Sequence, residues 1–98
     1  MATRPSPYTH GRSEVWDRAA LAREISKVRR RLGQHLRELR KARELSQEAA
    51  AEAIGIHPKH LQRIERGVGN ATVATLVAIS VAYKVEIPSL FEESPRET

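Results

Sequence analysis

Apolar positions in this chain recur at steps of three and four, the spacing of one helix face, and nowhere alternate as in a half-buried strand. In the first half Leu21, Ile25, Val28, Leu32 and Leu39 follow that spacing, with Leu36 beside them. Ser13 is placed to cap this run, with Glu14 and Asp17 in its first turns. Gly33 interrupts the stripe. It either separates an accessory helix, about 14–31, from a second helix, about 33–43, or sits inside one long helix at a cost of about 1 kcal/mol. An isolated helix of this length is marginal in water, so the stripe needs a partner surface. That surface is the domain near Ala50 or the same helix of a second subunit. Trp16, the only tryptophan, covers the core or forms that subunit seam.

The second half is more sharply punctuated. Leu45-Ser46-Gln47-Glu48 opens a helix, with Ser46 as N-cap and Ala49, Ala50, Ala51 and Ala53 as strong formers. Gly55 suits a left-handed C-cap. Pro58, after His57, starts another helix at the one position where a missing N–H costs nothing; it runs to Arg66 and stops at Gly67. Asn70-Ala71-Thr72 caps a fourth helix over 73–83, and Ile87-Pro88-Ser89-Leu90-Phe91 reads as a short fifth. No strand pattern and no internal repeat is evident, so the fold class is all-α. The expected organisation is a flexible arm over 1–12, an accessory helix over 13–31, a domain over 32–91 and an acidic tail over 92–98.

Charge changes this picture. The net charge of +5 is unevenly spread: residues 1–43 hold 12 Lys/Arg against 4 Asp/Glu, a balance of +8, whereas residues 44–98 hold 5 against 8, a balance of −3. A basic half points to a polyanion such as nucleic acid or a membrane surface. Cysteine is absent, which excludes disulfides and thiolate metal sites. No apolar run is long enough to span a bilayer, and no secretory signal is expected. The expectation is a soluble protein of the cytoplasm, associated with the nucleoid and not with membrane.

The chemistry concentrates in residues 46–67. Two helices of about eight and nine residues, joined by a turn containing glycine, form a helix-turn-helix, whose second helix lies in the major groove. Ala51 lets the second helix cross closely, Gly55 supplies a positive φ, and Ile56, Leu61 and Ile64 anchor the second helix to the core. Pro58, Lys59, Gln62 and Arg63 are left facing outward, with His60 at the side. Lys and Arg pair with guanine edges, which makes this face a candidate for base contact. The Arg29-Arg30-Arg31 cluster lies where it can reach phosphates.

The run Leu45-Ser46-Gln47-Glu48, Ala51-Glu52, Ile54-Gly55-Ile56, Leu61, Arg63-Ile64-Glu65-Arg66-Gly67, Asn70, Thr72, Thr75-Leu76, Ile79 and Leu90-Phe91 resembles the phage-repressor and Cro family, the xenobiotic-response-element type of regulator. The resemblance covers about residues 32–91. It implies a five-helix, lambda-repressor-like DNA-binding domain, here with an extra N-terminal helix. It further implies base contacts from Pro58, Lys59, Gln62 and Arg63. Gln47 would touch a phosphate and brace the recognition helix, Asn70 would contact phosphate from its loop, and His60 would do so from the helix side. Arg40 and Glu65 would form a structural ion pair. The chain departs from the family at Ala50, where leucine is usual and the core loses volume, and at His57, where Ser or Thr commonly caps. The loop 67–70 lacks the basic residue often found there.

Other chemistries are weak. His57 and His60 have no further ligand to complete a metal site. Glu24 and Glu38 lie fourteen residues apart with no pocket signal, and no nucleophile–base pair or phosphate loop exists, so neither enzymatic activity nor a cofactor or small-molecule ligand is expected. His35 is read as a surface or interfacial residue. The favoured reading is a homodimeric repressor on double-stranded DNA, since one short helix reads too few base pairs alone. The dimer surface is either the fifth helix, through Leu90 and Phe91, or the accessory helix. The rival is a protein-interaction module, antitoxin-like, that keeps the fold with weak or no DNA binding; the acidic second half favours it and Lys59 and Arg63 oppose it.

Overall fold

The chain begins its described course, residues 17–92 of a computed structural model, with Asp17 capping a helix through Oδ1, which accepts from the Ala20 N–H at 3.1 Å. That helix, α1, runs unbroken over Arg18–Ala42. It is followed by α2 (Gln47–Ile54), α3 (Pro58–Glu65) and α4 (Val73–Tyr83). A 3-10 helix, Ile87–Phe91, closes the described residues, among which no strand occurs. The arm 1–12, the Ser13 cap, Trp16 and residues 93–98 lie outside this description.

Two expectations change. The break considered at Gly33 is absent, so the accessory helix expected before it and the helix expected over 33–43 are one. The glycine is there for a different reason. A Cβ at Gly33 would stand 2.5 Å from the Ile64 carbonyl oxygen and 2.6 Å from that of Glu65, so only glycine lets α1 lie against the end of α3. The expected fifth helix is a single 3-10 element, as its length and Pro88 favour.

Each remaining boundary has a local cause. Ser46 Oγ accepts from Ala49 N–H at 3.0 Å, and Gly55 ends α2 at φ 93°. His57 does act as the N-cap of α3: its Nδ1 accepts from the Lys59 N–H at 3.0 Å, which requires a neutral ring with its proton on Nε2. Thr72 caps α4 through the Thr75 N–H at 3.1 Å.

The core is built from Leu32 and Leu36 of α1, Ala50, Ala51 and Ile54 of α2, Leu61 and Ile64 of α3, Ile79 and Tyr83 of α4, and Leu90. Helix α1 packs on α3 and on the 3-10 helix, while α2 bridges α3 and α4. Only the C-terminal half of the α1 stripe is buried: Ile25 and Val28 remain 38% and 39% exposed. Leu90 is fully buried, so it cannot supply the dimer surface considered for it. No helix among the described residues is long and apolar enough to cross a membrane.

Candidate nucleic-acid interface

Helix α3 divides into two faces. Leu61, Ile64 and Glu65 are buried, whereas Lys59, Gln62 and Arg63 are exposed, with Pro58 half-buried at the first turn. Arg66 continues the exposed row, since 59, 62–63 and 66 share one helical face. Arg66 is not among the residues expected from the sequence, although the helical periodicity that places Lys59 and Arg63 outward reaches it. In the free protein Arg63 lies back over the next loop, its Nη2 donating to the Val68 carbonyl at 3.4 Å. His60 is half-buried, and its Nε2 is enclosed without a hydrogen-bond partner among the described residues. That nitrogen is therefore not presented to a phosphate in this conformation.

What holds α3 in place is a polar cluster that joins three helices. The Arg40 guanidinium grips Glu65 in a two-pronged pair, Nε to Oε2 at 2.8 Å and Nη2 to Oε1 at 3.0 Å, and its Nη1 donates to the Leu45 carbonyl at 3.0 Å. Gln47 Nε2, at the start of α2, donates to the same Glu65 Oε1 at 3.0 Å. Glu65 is 3% exposed and accepts from both partners, which offsets the desolvation of its charge. The hydrogen bond to Glu65 raises the Arg40 pKa further above its ordinary value. An amide NH₂ carries two hydrogens, so Gln47 gives one to Glu65 and has a second donor.

Behind the cluster, burial pushes the Tyr83 hydroxyl up from its ordinary value, with the Glu65 charge adding to the effect. Its oxygen has no hydrogen-bond partner among the described residues. The Arg43 guanidinium stacks 4.9 Å from the Tyr83 ring centroid and donates to the Tyr83 carbonyl.

The three consecutive arginines part company. Arg29 donates to Asn70 Oδ1, so two residues read separately as phosphate ligands are bonded to one another and tie α1 to the loop after α3. Arg31 Nη1 donates to the Phe91 carbonyl at 3.5 Å, and His35 Nε2 contacts the Glu92 carbonyl; both fasten the 3-10 helix to α1. Arg30 alone stands exposed beside Gly67 and Arg66. Among the described residues, no group of three or more His, Asp or Glu side chains is arranged to hold a metal ion.

Comparison with known proteins agrees with this geometry. A helix-turn-helix family model matches residues 36–90. An uncharacterized HTH-type transcriptional regulator, y4wC, of Sinorhizobium fredii is 35% identical over 72 residues, which are 74% of this chain and 50% of that protein. The control protein C.SmaI of Serratia marcescens is 34% identical over 59 residues, 60% of this chain and 70% of its own. Among solved structures, the restriction-modification controller protein C.AhdI of Aeromonas hydrophila superposes with a TM-score of 0.62 at 35% identity, covering 64% of this chain and 96% of that one. An HTH_3 family transcriptional regulator of Vibrio cholerae gives a TM-score of 0.66 at 30% identity, over 74% of this chain and 41% of its own. The chain thus spans half the length of the Sinorhizobium relative and less than half of the Vibrio one. With the capped pair α2–α3 and the family match over most of the described residues, this chain belongs to the helix-turn-helix family.

Proposed function

We propose that the protein is a sequence-specific, homodimeric DNA-binding transcriptional regulator, a repressor, that reads the major groove with α3. The observation that carries this reading is the division of α3: one side is locked into the core by Leu61, Ile64 and the Arg40–Glu65–Gln47 cluster, and the other presents Lys59, Gln62 and Arg63. A rigidly held helix with an outward Lys/Arg/Gln face can place donors at base edges. Gln47 acts at the α2 N-terminus, where first-turn N–H groups and the helix dipole favour a phosphate.

Support for the dimer comes from α4, which is apolar nearly all round. Such a helix is normally covered on every side. Val73, Val77 and Val81, one above the other, are instead 75%, 44% and 70% exposed. A second apolar strip joins Ile25 and Val28 of α1 to Leu76 and Phe91. Two half-sites read by two copies give the specificity that one eight-residue helix lacks. A dimer seated on its site also occludes that DNA, which is the basis of repression in this reading. Two relatives are named as control or controller proteins, which favours a role among the controllers of restriction–modification genes.

Selection of bound duplexes from a random pool tests the proposal. The expected product is a two-fold symmetric site with half-sites about one helical turn apart. A pool with no enriched sequence after repeated rounds would refute sequence-specific recognition, and an asymmetric single site would refute the dimer.

A further inference from the structure

Helix α1 carries a row of cations that the recognition unit does not use. Arg23, Lys27, Arg30 and Arg37, with Gln34 between the last two, fall at successive steps of four and three, and so share one face of an unbroken helix. All four cations are exposed. The row borders one surface depression lined by Arg23, Lys27 and Arg30, and a second where Arg30, Gln34 and Arg37 meet Glu65 and Arg66 of α3. It therefore meets α3 at Arg66, the last cation of the exposed α3 face.

The electrostatics of this row are uncompensated. Glu65, the acid that lines the second depression, is engaged by Arg40 and Gln47. Arg23, Arg30, Arg37 and Arg66 make no side-chain ion pair among the described residues. Lys27 meets Glu24 at 3.4 Å with both side chains well exposed, a contact of little energy, and Gln34 donates to Glu38 at 3.5 Å. Unpaired arginines set along a rigid line match an acceptor that repeats along a line. From Arg23 to Arg37 the helix rises about 21 Å, comparable with about six base pairs of duplex at 3.4 Å each.

Resting on the reading of α3 above, we propose that the Arg23–Lys27–Arg30–Arg37 face of α1, together with Arg66, is an auxiliary phosphate-tracking surface that follows the duplex backbone beyond the bases read by α3. Its ligand is a run of DNA phosphates, bound without regard to sequence. The continuity of the row with α3 at Arg30, Gly67 and Arg66 selects this occupant over an acidic partner protein, because a duplex already seated on α3 extends past that junction. Of the three arginines at 29–31, only Arg30 takes part; Arg29 and Arg31 are engaged by Asn70 and Phe91.

The test replaces Arg23, Lys27, Arg30 and Arg37 together by glutamine, a good helix former that leaves α3 untouched. Fluorescence anisotropy on a labelled random-sequence duplex of about 30 base pairs, at a series of salt concentrations, gives the slope of log K against log salt. Each lost phosphate contact flattens that slope by about 0.9, so the loss of two to four contacts should lower it by about 1.8–3.6 per protomer bound, with an unchanged circular-dichroism melt. A companion carrying Arg23→Lys, Arg30→Lys and Arg37→Lys keeps the charge and should keep the slope. The base preferences selected from a random pool should be the same in all three proteins. An unchanged slope in the glutamine variant, with binding still weakened by Arg63→Ala, would overturn the surface and leave the α3 reading standing. Absence of any duplex binding by the unsubstituted protein at about 50 mM salt, where phosphate contacts are strongest, would overturn that reading itself. Displacement of the duplex by poly-glutamate at equal total charge would assign the row to acidic protein instead.

Discussion

Replacing Gly33 by alanine sets two physical effects against each other. In an unobstructed helix interior the change is stabilising by about 1 kcal/mol, because alanine loses less backbone entropy on folding. Here the added Cβ would lie 2.5 Å from the Ile64 oxygen, 2.6 Å from the Glu65 oxygen and 2.9 Å from the Glu65 carbonyl carbon. Ordinary carbon–oxygen approaches are about 3.3–3.6 Å, so the α1–α3 crossing must open by close to 1 Å. The obstacle is helix backbone, which cannot swing aside as a side chain would. Overpacking of this kind costs about 1–3 kcal/mol. The movement also pulls Glu65 from Arg40, whose 2.8 and 3.0 Å contacts tolerate little displacement. Steric cost and loosened pair together outweigh the gain in propensity, and we expect a net loss of about 2–3 kcal/mol. In a domain of this size that lowers the melting temperature by about 10 °C or more. Urea denaturation followed by circular dichroism measures it directly. A Gly33→Ala protein as stable as the original, or more so, would show that the close crossing is not what glycine serves.

Glu65→Gln strands the Arg40 charge in a nearly dry site and should cost about 3–5 kcal/mol by urea denaturation; a loss below about 1 kcal/mol would mean the pair is effectively solvated. Tyr83 has its pKa raised in the folded state, so its stabilising contribution is fully present below the unfolded value near 10 and is lost as pH rises through the folded one. Tyr83→Phe should therefore remove part of the alkaline loss of stability and, since the hydroxyl lacks a partner, should not destabilise at pH 7; coincident pH–stability curves for the two proteins would contradict this. On the selected DNA site, Arg63→Ala should weaken binding by about 1–3 kcal/mol and relax preference at one base pair. Gln47→Ala should weaken all duplexes alike, and a changed base preference in that variant would reverse the assignment.

Much of the architecture is legible in the sequence, because caps and periodicity are local. Ser46, Gly55, Pro58 and Thr72 set the ends of α2, α3 and α4 through bonds and dihedrals within a few residues of themselves. The outward face of α3 follows from 3.6-residue spacing with Leu61 and Ile64 as its core residues. Arg40 and Glu65 were paired by resemblance, and the structure brings them together with Gln47. What needed the tertiary structure was every question of what lies opposite. Gly33 reads as a weak point along one helix and becomes a necessity only when the α3 backbone arrives against it. Leu90 reads as free surface until α1 and α4 close over it. Arg29, Arg30 and Arg31 are one cluster along the sequence, but successive helical residues point about 100° apart. Tertiary packing therefore gave one to Asn70, one to the Phe91 carbonyl, and left one facing solvent beside α3. A sequence can set the direction of each side chain around its own axis; only the neighbouring elements decide whether it meets a partner, a core or open water.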